Sequence, residues 1–282
     1  MTQRHRRARR IVGRVLVVVA ACVLVPIACL YVVQDRFVYA PDAALPLVGS
    51  VLTGGEEVTY PADDGTIEHG WFAPARGSPT GVTVVGFHGY NGNRAAMAND
   101  GNRLTENGIA VLLAEYRGYG GVDGQPSEDG LRQDALAAAN FVRRRPGVDP
   151  MKVVYLGYSL GTGVAVEAAQ ASPPAALVLM APYTSLPDVA WSRMPGLPYR
   201  LLMHSQFDSR SRITDVRVPL LIIRGSNDHM VPPDQSQLVF DAANQPKQIM
   251  TMPGADHDLQ SPSGPSSSDM IVAFLRTAIG SG

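Results

Sequence analysis

The chain has 282 residues, 45% of them hydrophobic, enough for one large α/β domain or two small ones. Its 24 basic and 25 acidic side chains leave a net charge of −1, so there is no concentrated basic surface and no nucleic-acid partner is expected. The only cysteines, Cys22 and Cys29, stand seven residues apart in an N-terminal apolar segment, so the rest of the chain has no disulfide, thiol nucleophile or cysteine metal site.

The chain opens on "RHRRARR" at residues 4–10, with five arginines among the first ten residues. An uncharged apolar run of 19 residues, Val15 to Val33, follows, about the length that spans a bilayer core. Basic flank and apolar run together predict a transmembrane signal-anchor over residues 1–35, with the N-terminus cytoplasmic and the remainder on the extracytoplasmic side. A cleaved secretory signal usually has a shorter apolar region. The run "VAAC", Val19 to Cys22, also has the look of a lipoprotein processing site that would leave a lipidated Cys22. All three alternatives leave the main domain, residues 36–282, at or beyond a membrane surface.

"QDRFVYAPD" reads as a juxtamembrane connection in which Phe37 and Tyr39 sit at the lipid interface or pack on the domain. "EEVTYPADDG" and "TIEHGWFAP" form two short extended segments around a turn-forming "DDG", an antiparallel hairpin. From Val82 the pattern changes to buried strands alternating with helical stretches. The strands are "GVTVVGFHG", "GIAVLLAEYRG", "KVVYLGYS", "AALVLMAP", "VPLLIIRG" and "KQIMTMPG". Short β-branched runs bounded by Gly and Pro and separated by helix-prone stretches predict a mostly parallel sheet with helices on both faces. "SEDGLRQDALAAANFVRRR" has the marks of a helix that opens on a capping serine and closes on arginines. About 35 residues separate Pro182 from Val218, longer than a crossover requires. This Pro-, Met- and aromatic-rich segment, about 183–215, is expected as a small cap insertion over the strand ends and the carrier of specificity.

The chemistry centres on "LGYSLGTG", residues 156–163. A strand runs into Gly157-Tyr158-Ser159-Leu160-Gly161 and a small-residue helix runs out, the context in which such a serine is held exposed on a strained turn as a nucleophile. In this architecture the partners follow in the order acid, then histidine. Of the three later histidines, His257 in "PGADHDLQ" lies just past the final apolar strand, whereas His204 falls inside the expected cap and His229 beside an aspartate. Asp228, in the loop after "LLIIRG", is the expected acid, oriented to the far nitrogen of the imidazole. Asp188 is the alternative acid, and Asp256 and Asp258 stand too close to His257 in sequence to face it. The developing oxyanion needs two backbone N–H donors, expected from Leu160 and from Tyr90 in "FHGYNGN". Arg117 in "EYRGYG" is expected to hold a loop rather than a substrate anion. There is no H-E-x-x-H, P-loop or dinucleotide fingerprint, so neither metal nor cofactor is expected.

"RFVYAPD", "FHGYNGN", "AEYRGYGGVDGQPSEDG", "LGYSLGTG", "APYTSLPDVA", "IIRGSNDHMVP" and "GADHD" occur in order over residues 36–280. In them the chain resembles the α/β-hydrolase-domain serine hydrolases of the membrane-tethered group that includes protein depalmitoylases and their bacterial relatives. The resemblance implies an α/β-hydrolase fold and a triad of Ser159, Asp228 and His257. Relatives commonly carry "HGN" where this chain has "HGY", which puts the Tyr90 ring near the acyl or leaving-group pocket. The expected function is a membrane-anchored serine hydrolase that cleaves a carboxylic ester or thioester of a small or lipid-like acyl substrate through an acyl-enzyme. A peptidase or aminopeptidase on the same triad is the alternative, and a noncatalytic binding module on the same scaffold is a third class. A peptidase of that type needs an acidic clamp for a substrate amine, and no glutamate stands obviously in the cap.

Overall fold

The computed structural model describes residues 3–261 and 264–280. The side chains of the basic run 4–10 and the last two residues of the expected 36–282 domain lie outside what it describes. The first helix, α1 (Gln3–Val33), contains Ile11–Val33, a 23-residue stretch of mean hydropathy 2.9 with none of its described side chains buried. That is long and apolar enough to cross a bilayer or to act as a signal-anchor. Cys22 and Cys29 are both exposed on it.

Eight strands form the main sheet: β1 (Glu56–Pro61), β2 (Ile67–Ala73), β3 (Thr83–Phe87), β4 (Ala110–Ala114), β5 (Val153–Tyr158), β6 (Ala176–Met180), β7 (Leu220–Gly225) and β8 (Lys247–Met252). Their spatial order is β8-β7-β6-β5-β3-β4-β2-β1. Every neighbouring pair is parallel except the hairpin β1–β2 and the β2–β4 contact, so β2 alone runs against the rest. The hairpin and all six predicted strands are present. Strands β3, β5 and β6 are buried at every position or all but one, because helices cover both faces.

The helices α2 (Ala98–Glu106), α3 (Glu128–Arg144), α4 (Leu160–Ala171), α5 (Leu186–Arg193), α6 (Pro233–Ala242) and α7 (Ser267–Ala278) complete the layers. On α3 the Ser127 hydroxyl caps the Gly130 N–H and Arg143 and Arg144 sit in the last turn, as the sequence pattern requires. The core splits across the sheet. Leu131, Ala138 and Val164 lie in one hydrophobic cluster and Leu104, Ile271 and Leu275 in the other. The chain leaves β3 toward β4 on one side and returns to β5 on the other, which opens a crevice at the carboxyl ends of β3 and β5.

Residues 183–215 leave β6, form α5 and two four-residue helical turns, Tyr199–Leu202 and Ser209–Arg212, and return to β7. Glu128, at the start of α3, tethers the return: its carboxylate accepts from the backbone N–H groups of Gln206 and Phe207. Glu167 of α4 lies beneath, buried beside Glu128. Burial and the Glu128 carboxylate push its pKa up to about 9, although Arg212 Nε at 3.1 Å pulls the other way. The folded chain therefore keeps this proton up to about pH 9, whereas the unfolded chain releases it near 4.5. Between those limits the folded state holds more protons, so this group's contribution to stability is lost as pH rises. Glu167→Gln should flatten the fall of unfolding free energy from pH 5 to pH 9 by up to about 1.4 kcal/mol per pH unit, measured by denaturant titration across that range; an unchanged slope would contradict the assignment.

Candidate active site

The turn after β5 is built around steric exclusion. Ser159 sits at φ 52°, ψ −119°, left-handed territory that costs a non-glycine residue about 1–3 kcal/mol. Its N–H is tied to the Met180 carbonyl of β6 at 2.9 Å, and its own carbonyl accepts from the Thr162 N–H and hydroxyl at 2.8 and 2.7 Å. The two glycines of the motif are required by space. A Cβ on Gly157 would lie 2.3 Å from the Gly161 carbonyl oxygen, and one on Gly161 would lie 2.0 Å from the Phe87 carbonyl oxygen of β3. With backbone on both sides, neither clash is relieved by a rotamer change.

His257 and Asp228 are delivered by adjacent strands. β7 and β8 pair in register to Gly225 opposite Met252, and the loops beyond stay joined: Ser226 N–H donates to Met252 O, and Asn227 N–H to Ala255 O. Asp256 ties the same two loops, its Oδ1 accepting from the N–H groups of His229 at 3.0 Å and His257 at 2.7 Å. These two bonds, that of His229 first, hold the exposed Asp256 carboxyl below the usual carboxylate range. The Tyr158 hydroxyl donates to the His257 carbonyl at 3.1 Å. Burial pushes that phenol up to about 12, so it remains a donor at neutral pH.

The result is a continuous hydrogen-bonded line. His257 Nε2 lies 2.8 Å from Ser159 Oγ, and His257 Nδ1 lies 2.8 Å from Asp228 Oδ2. The other oxygen of Asp228 accepts from the N–H groups of Met230 at 2.8 Å and Val231 at 2.7 Å, which fixes the carboxylate's orientation. Ser159 and Asp228 are buried and His257 is partly open to solvent. A carboxylate at Nδ1 holds the hydrogen there, which leaves Nε2 free to accept from the serine hydroxyl.

The loop after β3 lies against this line. Phe87 pairs with Gly157, and two residues later Gly89 lies against the Ser159 side chain. The Tyr90 carbonyl takes two donors, Ala40 N–H at 3.0 Å and the Tyr119 hydroxyl at 2.7 Å. Leu160 is the first residue of α4, so its N–H has no partner within the helix. Sequence reasoning missed the residues that hold this loop. His88, fully buried, places Nδ1 2.8 Å from the Gly89 carbonyl and Nε2 2.7 Å from Glu115 Oε1. Buried Arg94 grips the other Glu115 oxygen at 2.9 Å and reaches Glu57 at 2.6 Å.

The other candidates lie elsewhere. Asp188 accepts from Thr184 and pairs with Arg200, away from the imidazole. His204 meets Tyr31, and His229 is exposed in the cleft beside His257. Arg117 is clamped by Asp134 and Asp64 as a loop-holding residue. Phe37 and Tyr39 separate: Phe37 is exposed, and Tyr39 is buried with its hydroxyl 2.7 Å from Ser205 Oγ.

Two hollows meet at Ser159. One of about 430 Å³ has polar walls that include His229, Asp256 and Asp258. The other, of about 290 Å³, is lined by Leu160, Leu186, Val189 and Met230. Tyr90 and Arg193 border both. A larger hollow of about 650 Å³ behind Tyr158 touches neither Ser159 nor His257.

A family described as "Serine aminopeptidase, S33" matches residues 78–205, and one described as "PhoPQ-activated pathogenicity-related protein" matches residues 198–281. The uncharacterized protein Rv2307c of Mycobacterium tuberculosis is 40% identical over 249 residues, 87% of this chain and 89% of that one. The "Alpha/beta hydrolase domain-containing protein WAV2" of Arabidopsis thaliana is 26% identical over 77% of this chain and 78% of its own length. Among solved structures, the Pyrococcus furiosus esterase Pf2001 matches with a TM-score of 0.70 at 17% identity, over 86% of this chain and 98% of that one, a likeness of fold. The chain belongs to the α/β-hydrolase family of serine hydrolases, and its sheet with the sharp turn after β5 is the α/β-hydrolase fold.

The close approach at Gly161 sets a direct expectation. Gly161→Ala should cost at least about 3 kcal/mol of stability, the upper end of overpacking penalties, because its methyl meets β3 backbone. Chemical denaturation measures it, and a loss under about 1 kcal/mol, the lower end of those penalties, would contradict the packing described.

Proposed function

We propose that the chain is a membrane-anchored serine hydrolase that cleaves a carboxylic ester or thioester through an acyl-enzyme. The observation that carries this reading is the line Ser159 Oγ, His257 Nε2, His257 Nδ1, Asp228 Oδ2, with both hydrogen bonds at 2.8 Å, at the strained turn after β5. In this reading Ser159 Oγ attacks the carbonyl carbon as His257 takes its proton. Asp228 stabilises the imidazolium that forms. The carbonyl oxygen gains negative charge and is held by the N–H groups of Tyr90 and Leu160. His257 then gives its proton to the departing alcohol or thiol. Water repeats the sequence against the acyl-enzyme, returning the acid and free Ser159.

The acyl group belongs in the apolar hollow and the leaving group in the polar one, with the Tyr90 ring at their boundary. Residues 183–215 act as the cap and α1 as the anchor. The arginines before the apolar stretch Ile11–Val33 favour a cytoplasmic N-terminus with residues 36–282 on the extracytoplasmic side. No metal, cofactor or nucleic acid enters this scheme.

The family description that names a serine aminopeptidase favours one second reading, hydrolysis of an aminoacyl amide on the same residues. Turnover of an aminoacyl 4-nitroanilide in preference to a 4-nitrophenyl ester would select it.

Ser159→Ala should lower kcat for 4-nitrophenyl butyrate by about 10⁴-fold or more and abolish the pre-steady-state burst. Asp228→Asn, which presents a wrong hydrogen-bond partner to Nδ1, should cost about 10³–10⁴-fold with KM little changed. Stopped-flow and steady-state assays on the full chain check both, and a Ser159→Ala protein that retains the burst would overturn the assignment.

A further inference from the structure

The apolar hollow at Ser159 does not end at the cap. A second apolar cavity of about 420 Å³ adjoins it, and the two share Phe37, Val38, Ala190, Arg193 and Met203 as common wall. One side of this second cavity is Met194, Tyr199 and Leu202 of the 183–215 segment. The other is Ile27, Leu30, Tyr31 and Gln34, from the last turns of α1 and the residue that follows it.

Those four positions are spaced i, i+3, i+4 and i+7, one face of a helix. A fixed joint seats that face. Gln34 is only 6% exposed; its Nε2 donates to the Leu202 carbonyl at 3.0 Å and its Oε1 accepts from the His204 N–H at 2.8 Å. The Tyr31 ring meets His204 edge-on with centroids 4.5 Å apart. A buried amide whose oxygen and nitrogen are both satisfied by backbone of one segment locks two elements in register, since sliding either would leave polar atoms unpaired. The faces of α1 turned away from the cap stay open, with Val32 77% exposed.

We infer that the end of α1 is the outer wall of the acyl-binding site, so that the anchor is part of the catalytic cavity. The occupant is an unbranched acyl chain long enough to pass Met203, and it enters along α1 from the bilayer side. This inference rests on the ester or thioester reading and gives it a substrate class. A short acyl group fills only the hollow at Ser159. Each methylene beyond it is transferred from water or interface into the second cavity and raises kcat/KM by up to about fourfold until the space is full.

The test uses the full chain in phosphatidylcholine nanodiscs, with 4-nitrophenyl esters from C4 to C16. Leu30→Trp fills the cavity from the anchor side and Met203→Trp fills it from the cap side. Each should lower the C16:C4 ratio of kcat/KM by about tenfold or more. Val32→Trp, with the same bulk on the outward face of α1, should keep the wild-type ratio. A Leu30→Trp ratio equal to wild type, or an equal fall in Val32→Trp, overturns the inference.

A second readout does not depend on turnover. Palmitic acid carrying a mid-chain diazirine, photolysed with the Ser159→Ala protein, should label residues 27–34 and 199–203, and label confined to other segments overturns the inference. A chain labelled there that hydrolyses no ester contradicts the hydrolase reading and leaves the acyl cavity standing. A chain with Ser159-dependent C4 turnover but an unchanged Leu30→Trp ratio does the reverse.

Discussion

The backbone of one residue sets the geometry of the whole site. Ser159 is held at φ 52° because its N–H belongs to the edge of β6, its carbonyl belongs to the first turn of α4, and the backbones of β3 and α4 close on either side through Gly157 and Gly161. The strain, about 1–3 kcal/mol, is maintained by a sheet whose neighbouring strands are almost wholly buried. The consequence is a hydroxyl presented above the strand ends with a helix N-terminus immediately behind it. A side chain at either glycine would meet backbone and force the turn apart.

The partners depend on strand register rather than on strain. Asp228 and His257 come from loops that leave β7 and β8 at the same level, and backbone bonds beyond the strands keep those loops together. Asp256 adds a side-chain tie between them, and Tyr158 ties the His257 loop back to the turn that carries Ser159. The imidazole is thus positioned by three elements with few free torsions, which lowers the entropy lost when the site must be aligned for chemistry. The loop after β3 has an equivalent support in the buried His88, Glu115 and Arg94 chain. Within it Arg94 and Glu115 form a buried ion pair at 2.9 Å, and losing one partner would leave the other charge buried alone.

Local patterns carried most of the fold. Six β-branched runs, the "DDG" hairpin and the capped α3 helix are each specified by adjacent residues, and each forms where its pattern stands. Ser159, Asp228 and His257 were legible as candidates because an elbow motif fixes a strand–turn–helix context, and because the loops leaving the last two strands have few places to go. The supports were not legible. His88 meets Glu115 across 27 residues, and Arg94 meets Glu57 across 37, pairings that depend on where β1, β3 and β4 fall in the sheet. Asp256 looked like a bystander because its partners are backbone N–H groups, which nearly every residue carries. The contact of Gln34 with Leu202 and His204 spans about 170 residues and has no local signature at all. The apolarity of Ile11–Val33 pointed to a membrane and gave no sign that one face of α1 also lines a cavity adjoining the hollow at Ser159.

The central claim is that Ser159 is a nucleophile and that the oxyanion formed on the substrate carbonyl faces the N–H groups of Tyr90 and Leu160. The most direct measurement is a crystal structure of the protein after reaction with a long-chain alkyl fluorophosphonate. The account predicts phosphorus bonded to Ser159 Oγ, the phosphoryl oxygen within hydrogen-bond distance of the Tyr90 and Leu160 N–H groups, and the alkyl chain lying between Leu186 and Met203. An adduct on another residue, or a phosphoryl oxygen that meets neither N–H, would contradict it.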